Sequence, residues 1–133
     1  LLTGEYRSAL PPVPKSVKIE LTARCDFQCF FCASSQRLRD KGEIDPALFR
    51  RVLRDLRALG VEEIGLFYLG ESFLCGWLPA AIRYAKHDCG FPYVFLTTNG
   101  RLATPERVRE CGVDPLLHAR FEGGAVRGIE RAL

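Results

Sequence analysis

The sequence predicts an α/β fold, a parallel sheet built from repeated strand-helix units, and three observations carry that prediction. Three short apolar runs, 17–22, 63–69 and 93–97, have strand length and strand composition. Between them lie helix-period segments, 45–59 and 77–88, far too long for hairpin loops. Strands joined that way run parallel, through right-handed crossovers. Each run also ends in a loop carrying chemistry-bearing residues, and parallel sheets collect such loops along one edge, at the carboxyl ends of the strands.

Taken in order, residues 1–16 end in Leu10-Pro11-Pro12-Val13-Pro14, an extended, donor-poor lead-in arm ahead of a core spanning 17–133. The first strand, Val17-Lys18-Ile19-Glu20-Leu21, delivers the chain into a cysteine loop that the polar stretch 34–42 prolongs. Asp45 is a helix N-cap with Pro46 at the first helical position. Phe49, Val52, Leu53, Leu56 and Leu59 then recur at helical spacing until Gly60, with Arg50, Arg51, Arg54 and Arg57 on the solvated side. The strand from Glu63 to Leu69 is apolar on both alternating faces in its second half, as a covered strand must be, and ends in Gly70-Glu71-Ser72. A second helix, Trp77 to Asp88, carries Leu78, Ala81, Ile82 and Ala85 and closes at Cys89-Gly90. The third strand ends in Thr98-Asn99-Gly100; Thr104 and Pro105 start a short helix to Cys111, a fourth strand is expected over 113–118, and a last helix over 125–132.

The most informative stretch is Cys25-Asp26-Phe27-Gln28-Cys29-Phe30-Phe31-Cys32. Three thiols this close can converge on one metal centre, since thiolates are strong ligands for iron and zinc. Three is one short of four, and a four-iron cluster held by three thiolates keeps one iron open to an exogenous ligand. Two plainer readings stay open on the residues alone: positions 25, 29 and 32 share one face of a helix and can be small core residues, or His87 or His118 can complete a structural zinc site. Cys75 near Ser72 reads either as packing or as a hydrogen donor to a cavity, and His118 and Arg120 either as cavity or as surface residues.

Composition bounds the function classes. With 133 residues, 47% of them hydrophobic, the chain supports one core rather than two. A net charge of +3, from 19 basic and 16 acidic residues dispersed along the chain, gives no argument for nucleic acid. No apolar run has membrane-spanning length, and Leu1-Leu2-Thr3-Gly4-Glu5 lacks the order of a signal peptide, so the expectation is a cytoplasmic protein. In that compartment six cysteines favour metal or redox chemistry over a disulfide framework.

These motifs together resemble the radical S-adenosylmethionine (radical SAM) enzymes. Cys25, Cys29 and Cys32, with aromatic Phe31, match the family's Cys-x3-Cys-x-aromatic-Cys signature; Gly70-Glu71-Ser72 resembles its Gly-Gly-Glu-Pro motif with the outer residues replaced. Thr98-Asn99-Gly100 resembles the segment at the end of its third strand, and the likeness runs from about residue 17 to residue 114. The resemblance implies a partial TIM-type barrel with about four of the family's six strand-helix units. It implies a [4Fe-4S] cluster on the three cysteines, with S-adenosylmethionine chelated at the open iron. Phe31 would lie near the adenine, Gly70 would admit the methionyl part, Glu71 and Ser72 would hold the amino group, and Asn99 is either a cofactor contact or only a turn.

The implied activity is reductive cleavage of S-adenosylmethionine to a 5′-deoxyadenosyl radical that abstracts hydrogen from an unknown substrate. It draws on an external flavodoxin- or ferredoxin-like electron donor. The chain departs from the family after Asp114, where Pro115 is awkward inside a strand. The barrel is then to be completed by a partner chain, a second copy or further sequence. The alternative is a truncated, non-catalytic relative that binds an iron-sulfur centre or zinc, or acts as an interaction module.

Overall fold

A computed structural model of the chain describes residues 11–33 and 40–112. The strand expected over 113–118, the helix over 125–132, His118, Arg120 and most of the lead-in arm lie outside the described residues. Three strands, β1 (Ser16–Lys18), β2 (Glu63–Gly65) and β3 (Tyr93–Phe95), form one sheet in the order β1-β2-β3. Both pairings are parallel, with Val17 beside Ile64 and Ile64 beside Val94. Helix α1 (Pro46–Ala58) makes the first crossover and α2 (Leu78–Arg83) the second; α3 (Pro105–Glu110) follows β3.

Local chemistry accounts for the helix ends. The Asp45 carboxylate accepts the Leu48 amide at 2.8 Å, Pro46 occupies the first turn, and Gly60 takes the positive φ that lets the chain leave α1. Thr104 caps α3 in the same way. Beyond Arg83, α2 widens into a single π-type turn, Tyr84–Asp88, closed by the Cys89 amide on the Tyr84 carbonyl and by Gly90 at positive φ.

Phe49 and Leu53 of α1, Leu78, Ala81 and Ile82 of α2, and Ala85 pack with Ile64, Leu66 and Leu96 from the sheet side into one buried core. Leu59, placed on that stripe by spacing, is exposed instead, because it stands after the last helical turn where the chain already bends away. The arginines of α1 lie on the solvated side as expected, Arg50, Arg51 and Arg54 exposed and Arg57 half-buried. Arg54 donates to the Tyr84 hydroxyl at 3.0 Å, and Arg50 and Arg57 lie over the Tyr84 and Phe91 rings. The other side of the sheet presents Lys18 over Phe67, with Phe67, Phe95 and Tyr93 in ring contact.

The strands are shorter than the apolar runs suggest, because other partners take over the backbone. After Lys18 the Ile19 amide still reaches the Gly65 carbonyl, but Leu21 and Ala23 then bond to Ile44 and Gly42, with Thr22 bridged antiparallel to Glu43. After Gly65, the Leu66 amide donates to the Phe95 carbonyl, and the Leu69 and Gly70 amides turn to a side chain, the carboxylate of Glu20. A carboxylate accepting two amides competes well with a ladder bond, because charge-assisted hydrogen bonds are the stronger kind.

Candidate functional site

Carboxylates tie the three loops at the carboxyl edge of the sheet together. Oε1 of Glu20, just past β1, accepts the Leu69 and Gly70 amides of the loop after β2 at 3.0 and 2.9 Å. The Glu71 amide in turn donates to the Arg24 carbonyl at 2.8 Å. The approach is so close that a Cβ on Gly70 would overlap the Thr22 carbonyl oxygen and come within 3.0 Å of the Arg24 oxygen. Gly70 is therefore required by protein backbone, independently of any ligand.

The Glu71 side chain is only 3% exposed and links β2 to β3. Its Oε1 accepts the Thr98 hydroxyl at 2.7 Å and the Phe73 amide at 3.1 Å, and its Oε2 accepts the Asn99 amide at 2.7 Å. Ser72 points elsewhere: buried, it donates its hydroxyl to the Leu66 carbonyl at 2.6 Å and closes the end of β2. Thr98 also accepts the Gly100 amide, and Gly100 has the positive φ of an Asn-Gly turn. Asn99 is both a turn residue and a contact. Its Oδ1 accepts the Arg101 amide at 3.0 Å, and its Nδ2 donates to Oδ1 of Asp26, inside the cysteine loop, at 2.8 Å.

The cysteine loop is held on both flanks. Before Cys25, Arg24 pairs with Glu43 and donates to the Leu74 carbonyl, while the other Glu43 oxygen accepts the Trp77 indole. After Cys25, Asp26 is bound by Asn99 and by Arg101, whose Nη1 lies 3.3 Å from Oδ2. Cys25, Cys29 and Cys32 are free thiols, half-buried and outside any helix, so they are not the buried face of one. Burial pushes the Cys25 thiol up; the Phe27 amide, donating to its sulfur, opposes the rise, and the charges of Asp26 and Glu71 add to it. Phe31 is 66% exposed and its neighbour Phe30 is 99% exposed, the two rings meeting edge to face. Cys75, by contrast, is buried in the core, so packing accounts for it.

Among the described residues no three His, Cys, Asp or Glu side chains are already gathered around one point, and no zinc set containing His87 forms. The donor set itself suits an iron-sulfur centre: three reduced thiols on one loop, none in a disulfide and none locked in the core. Sequence reading missed Glu20, Asp26 and Arg101. The visible signal for the first was a lone carboxylate in the apolar run 17–21; for the second, a carboxylate inside the cysteine motif.

Comparison with known proteins decides the family, since the model of the Radical SAM superfamily matches residues 19–119. The chain belongs to the radical SAM superfamily. Radical SAM proteins are enzymes that use a [4Fe-4S] cluster and S-adenosylmethionine, so those are the cofactors that go with membership. Over 122 residues the chain is 30% identical to a PqqA peptide cyclase of Bradyrhizobium diazoefficiens, covering 91% of this chain and 30% of that protein. Over 112 residues it is 24% identical to an S-adenosyl-L-methionine-dependent 2-deoxy-scyllo-inosamine dehydrogenase of Niallia circulans, covering 80% of this chain and 45% of that protein. A crystal structure of BtrN in complex with AdoMet and 2-DOIA superposes with a TM-score of 0.67 at 25% identity, covering 74% of this chain and 41% of that one. The chain thus spans less than half the length of these relatives. No helix among the described residues is long and apolar enough to cross a membrane.

Proposed function

We propose that this chain is the cofactor-binding part of a radical SAM enzyme, a partial TIM-type barrel in which Cys25, Cys29 and Cys32 hold a [4Fe-4S] cluster. The observation that carries this reading is the linkage of the cysteine loop, through Asp26, Asn99 and Glu71, to the ends of the two neighbouring strands. When bound, the cluster supplies the single electron that cleaves S-adenosylmethionine and starts radical chemistry on a substrate. Everything else falls to the chain: to present three thiolates on one loop, to seat the cofactor beside them and to keep water away.

Glu71 has three of a carboxylate's roughly four acceptor positions taken, leaving Oε2 room for one more donor. That remaining position is assigned to the amino group of S-adenosylmethionine. Phe31, exposed at the tip of the loop, is assigned to the adenine, and Asn99 to the wall between cofactor and turn. Gly70 and Ser72 act indirectly, one by admitting the Thr22 carbonyl and the other by fixing the end of β2. An external flavodoxin- or ferredoxin-like protein supplies the electron. Six free cysteines suit the reducing cytoplasm. The barrel is completed by a partner chain, a second copy or further sequence. Relatives named for an inosamine, a peptide and a nucleotide share the matched stretch, so substrate choice is assigned to the part beyond it.

The test is electron paramagnetic resonance of the anaerobically reconstituted, reduced chain, with and without S-adenosylmethionine. A four-iron signal that changes on adding the cofactor supports the reading. A cluster signal indifferent to the cofactor points to a non-catalytic relative, and the absence of a cluster rejects the ligand assignment.

A further inference from the structure

The contact of the cysteine loop with the loop after β3 has an electrical as well as a mechanical side. Asp26 directly follows Cys25 in the cysteine loop, and its carboxylate receives Asn99 Nδ2 on Oδ1 at 2.8 Å and Arg101 Nη1 on Oδ2 at 3.3 Å. Asn99 is not free to follow a wandering partner, since its amide is bound by Glu71 and its Oδ1 by the Arg101 amide. The Asp26 side chain is 15% exposed and that of Arg101 60%. The anion therefore sits in a poorly hydrated spot where its charge acts on the Cys25 thiol, while its counter-charge approaches from solvent.

We propose that Asp26 is a positioning residue for the cluster ligands, and that its ion pair with Arg101 sets the reduction potential of the cluster those ligands hold. This rests on the reading of Cys25, Cys29 and Cys32 as cluster ligands. Adding one electron makes the centre more negative. A nearby carboxylate opposes that step and a nearby guanidinium favours it, the influence of neighbouring charge on such centres being general. Removing the two charges one at a time must then move the potential in opposite directions, although both substitutions break the same contact. A purely structural latch predicts no such opposition.

The test is a redox titration of the reconstituted chain, followed by the reduced-cluster paramagnetic signal, with dithionite as the one-electron reductant and mediator dyes. Asp26→Asn keeps an acceptor for Asn99 and loses the charge; its potential should rise. Arg101→Gln leaves Asp26 uncompensated; its potential should fall. Each shift should change the reduced-to-oxidised ratio at a fixed potential by roughly three- to tenfold, given a charge separation of several ångströms near a protein surface. Unchanged potentials, or shifts of both variants in one direction, overturn the proposal. Because Arg101 is a surface side chain, Arg101→Gln decides alone if Asp26→Asn takes up no iron: a fall supports the proposal, and no change or a rise overturns it. A native chain without a four-iron signal fails the ligand reading itself, whereas native signals with unmoved potentials fail only this inference.

Discussion

The backbone amide of Asn99 lies 2.7 Å from Oε2 of Glu71, so the carboxylate that ends one strand is held by the main chain that ends the next. The bond is partly buried and repeats, one strand further on, what Glu20 does for the Leu69 and Gly70 amides. Loops at this edge are aligned by acidic side chains in places where a longer sheet would use ladder bonds.

Removing the Glu71 carboxylate should therefore cost stability as well as cofactor binding. Glu71→Ala strands the Thr98 hydroxyl and the Phe73 and Asn99 amides. Unmet buried donors of this kind cost about 1–3 kcal/mol each, partly recovered by water entry. A net loss of about 2–4 kcal/mol is expected in anaerobic denaturant unfolding. Glu71→Gln should lose about half as much, and both variants should bind S-adenosylmethionine more weakly. Native stability in Glu71→Ala would contradict the linkage.

Gly70 and Gly76 make a matched pair. A methyl group at Gly70 meets the Thr22 carbonyl oxygen, a backbone atom that cannot step aside alone, whereas one at Gly76 meets nothing within 4 Å. Gly70→Ala should destabilise by about 2 kcal/mol or more, in the range of overpacking, and should lower iron uptake by displacing the entry to the cysteine loop. Gly76→Ala should be close to neutral, and equal melting temperatures for the two variants would refute the packing argument.

Ligand assignment is checked by iron content. Cys25→Ala, Cys29→Ala and Cys32→Ala should each fail to retain a four-iron cluster after anaerobic reconstitution and desalting. Cys89→Ala, just past the π-type turn Tyr84–Asp88, should retain the native amount. Full iron in Cys29→Ala would remove that residue from the ligand set.

Thiol reactivity should separate the cysteines by pH. Burial pushes the Cys75 and Cys111 thiols up, so less of either is thiolate at pH 8 than in an ordinary thiol. Iodoacetamide should modify both slowly there, faster as pH rises, and in the metal-free chain well behind Cys29 and Cys32, which are half-buried rather than buried. Mass spectrometry of peptides after timed quenching reads the order directly. Early modification of Cys75 would place it outside the core.

Much of this architecture was legible in local pattern. The Asp45 and Thr104 caps, the strand-helix alternation and the placement of three loops along one edge follow from spacing and turn chemistry, and all are present. The direction of individual polar groups was not legible. Ser72 turns inward to Leu66 and Glu71 is already occupied by Thr98 and Asn99, because both answer to backbone groups that arrive only when the loops assemble. Asp26 meets Asn99 across 73 positions of the chain, and no local periodicity encodes such a pair. Strand lengths were overread for the same reason, a distant carboxylate having claimed the Leu69 and Gly70 amides.

The parallel pairing of Ser16 with Glu63 has a consequence for how the protein matures. All three loop cysteines lie within the long segment that this pairing closes, and non-local parallel closure is among the slower events in folding. The grip of Glu20 and Arg24 on the loop after β2 can form only once that closure is made. Loading of the iron-sulfur centre is then expected to follow, rather than nucleate, the joining of β1 to β2. If the three loop cysteines hold the centre, a newly made chain is expected to pass through a stage with β1 and β2 joined and those thiols still bare and oxidisable, the stage at which it would depend most on a reducing environment.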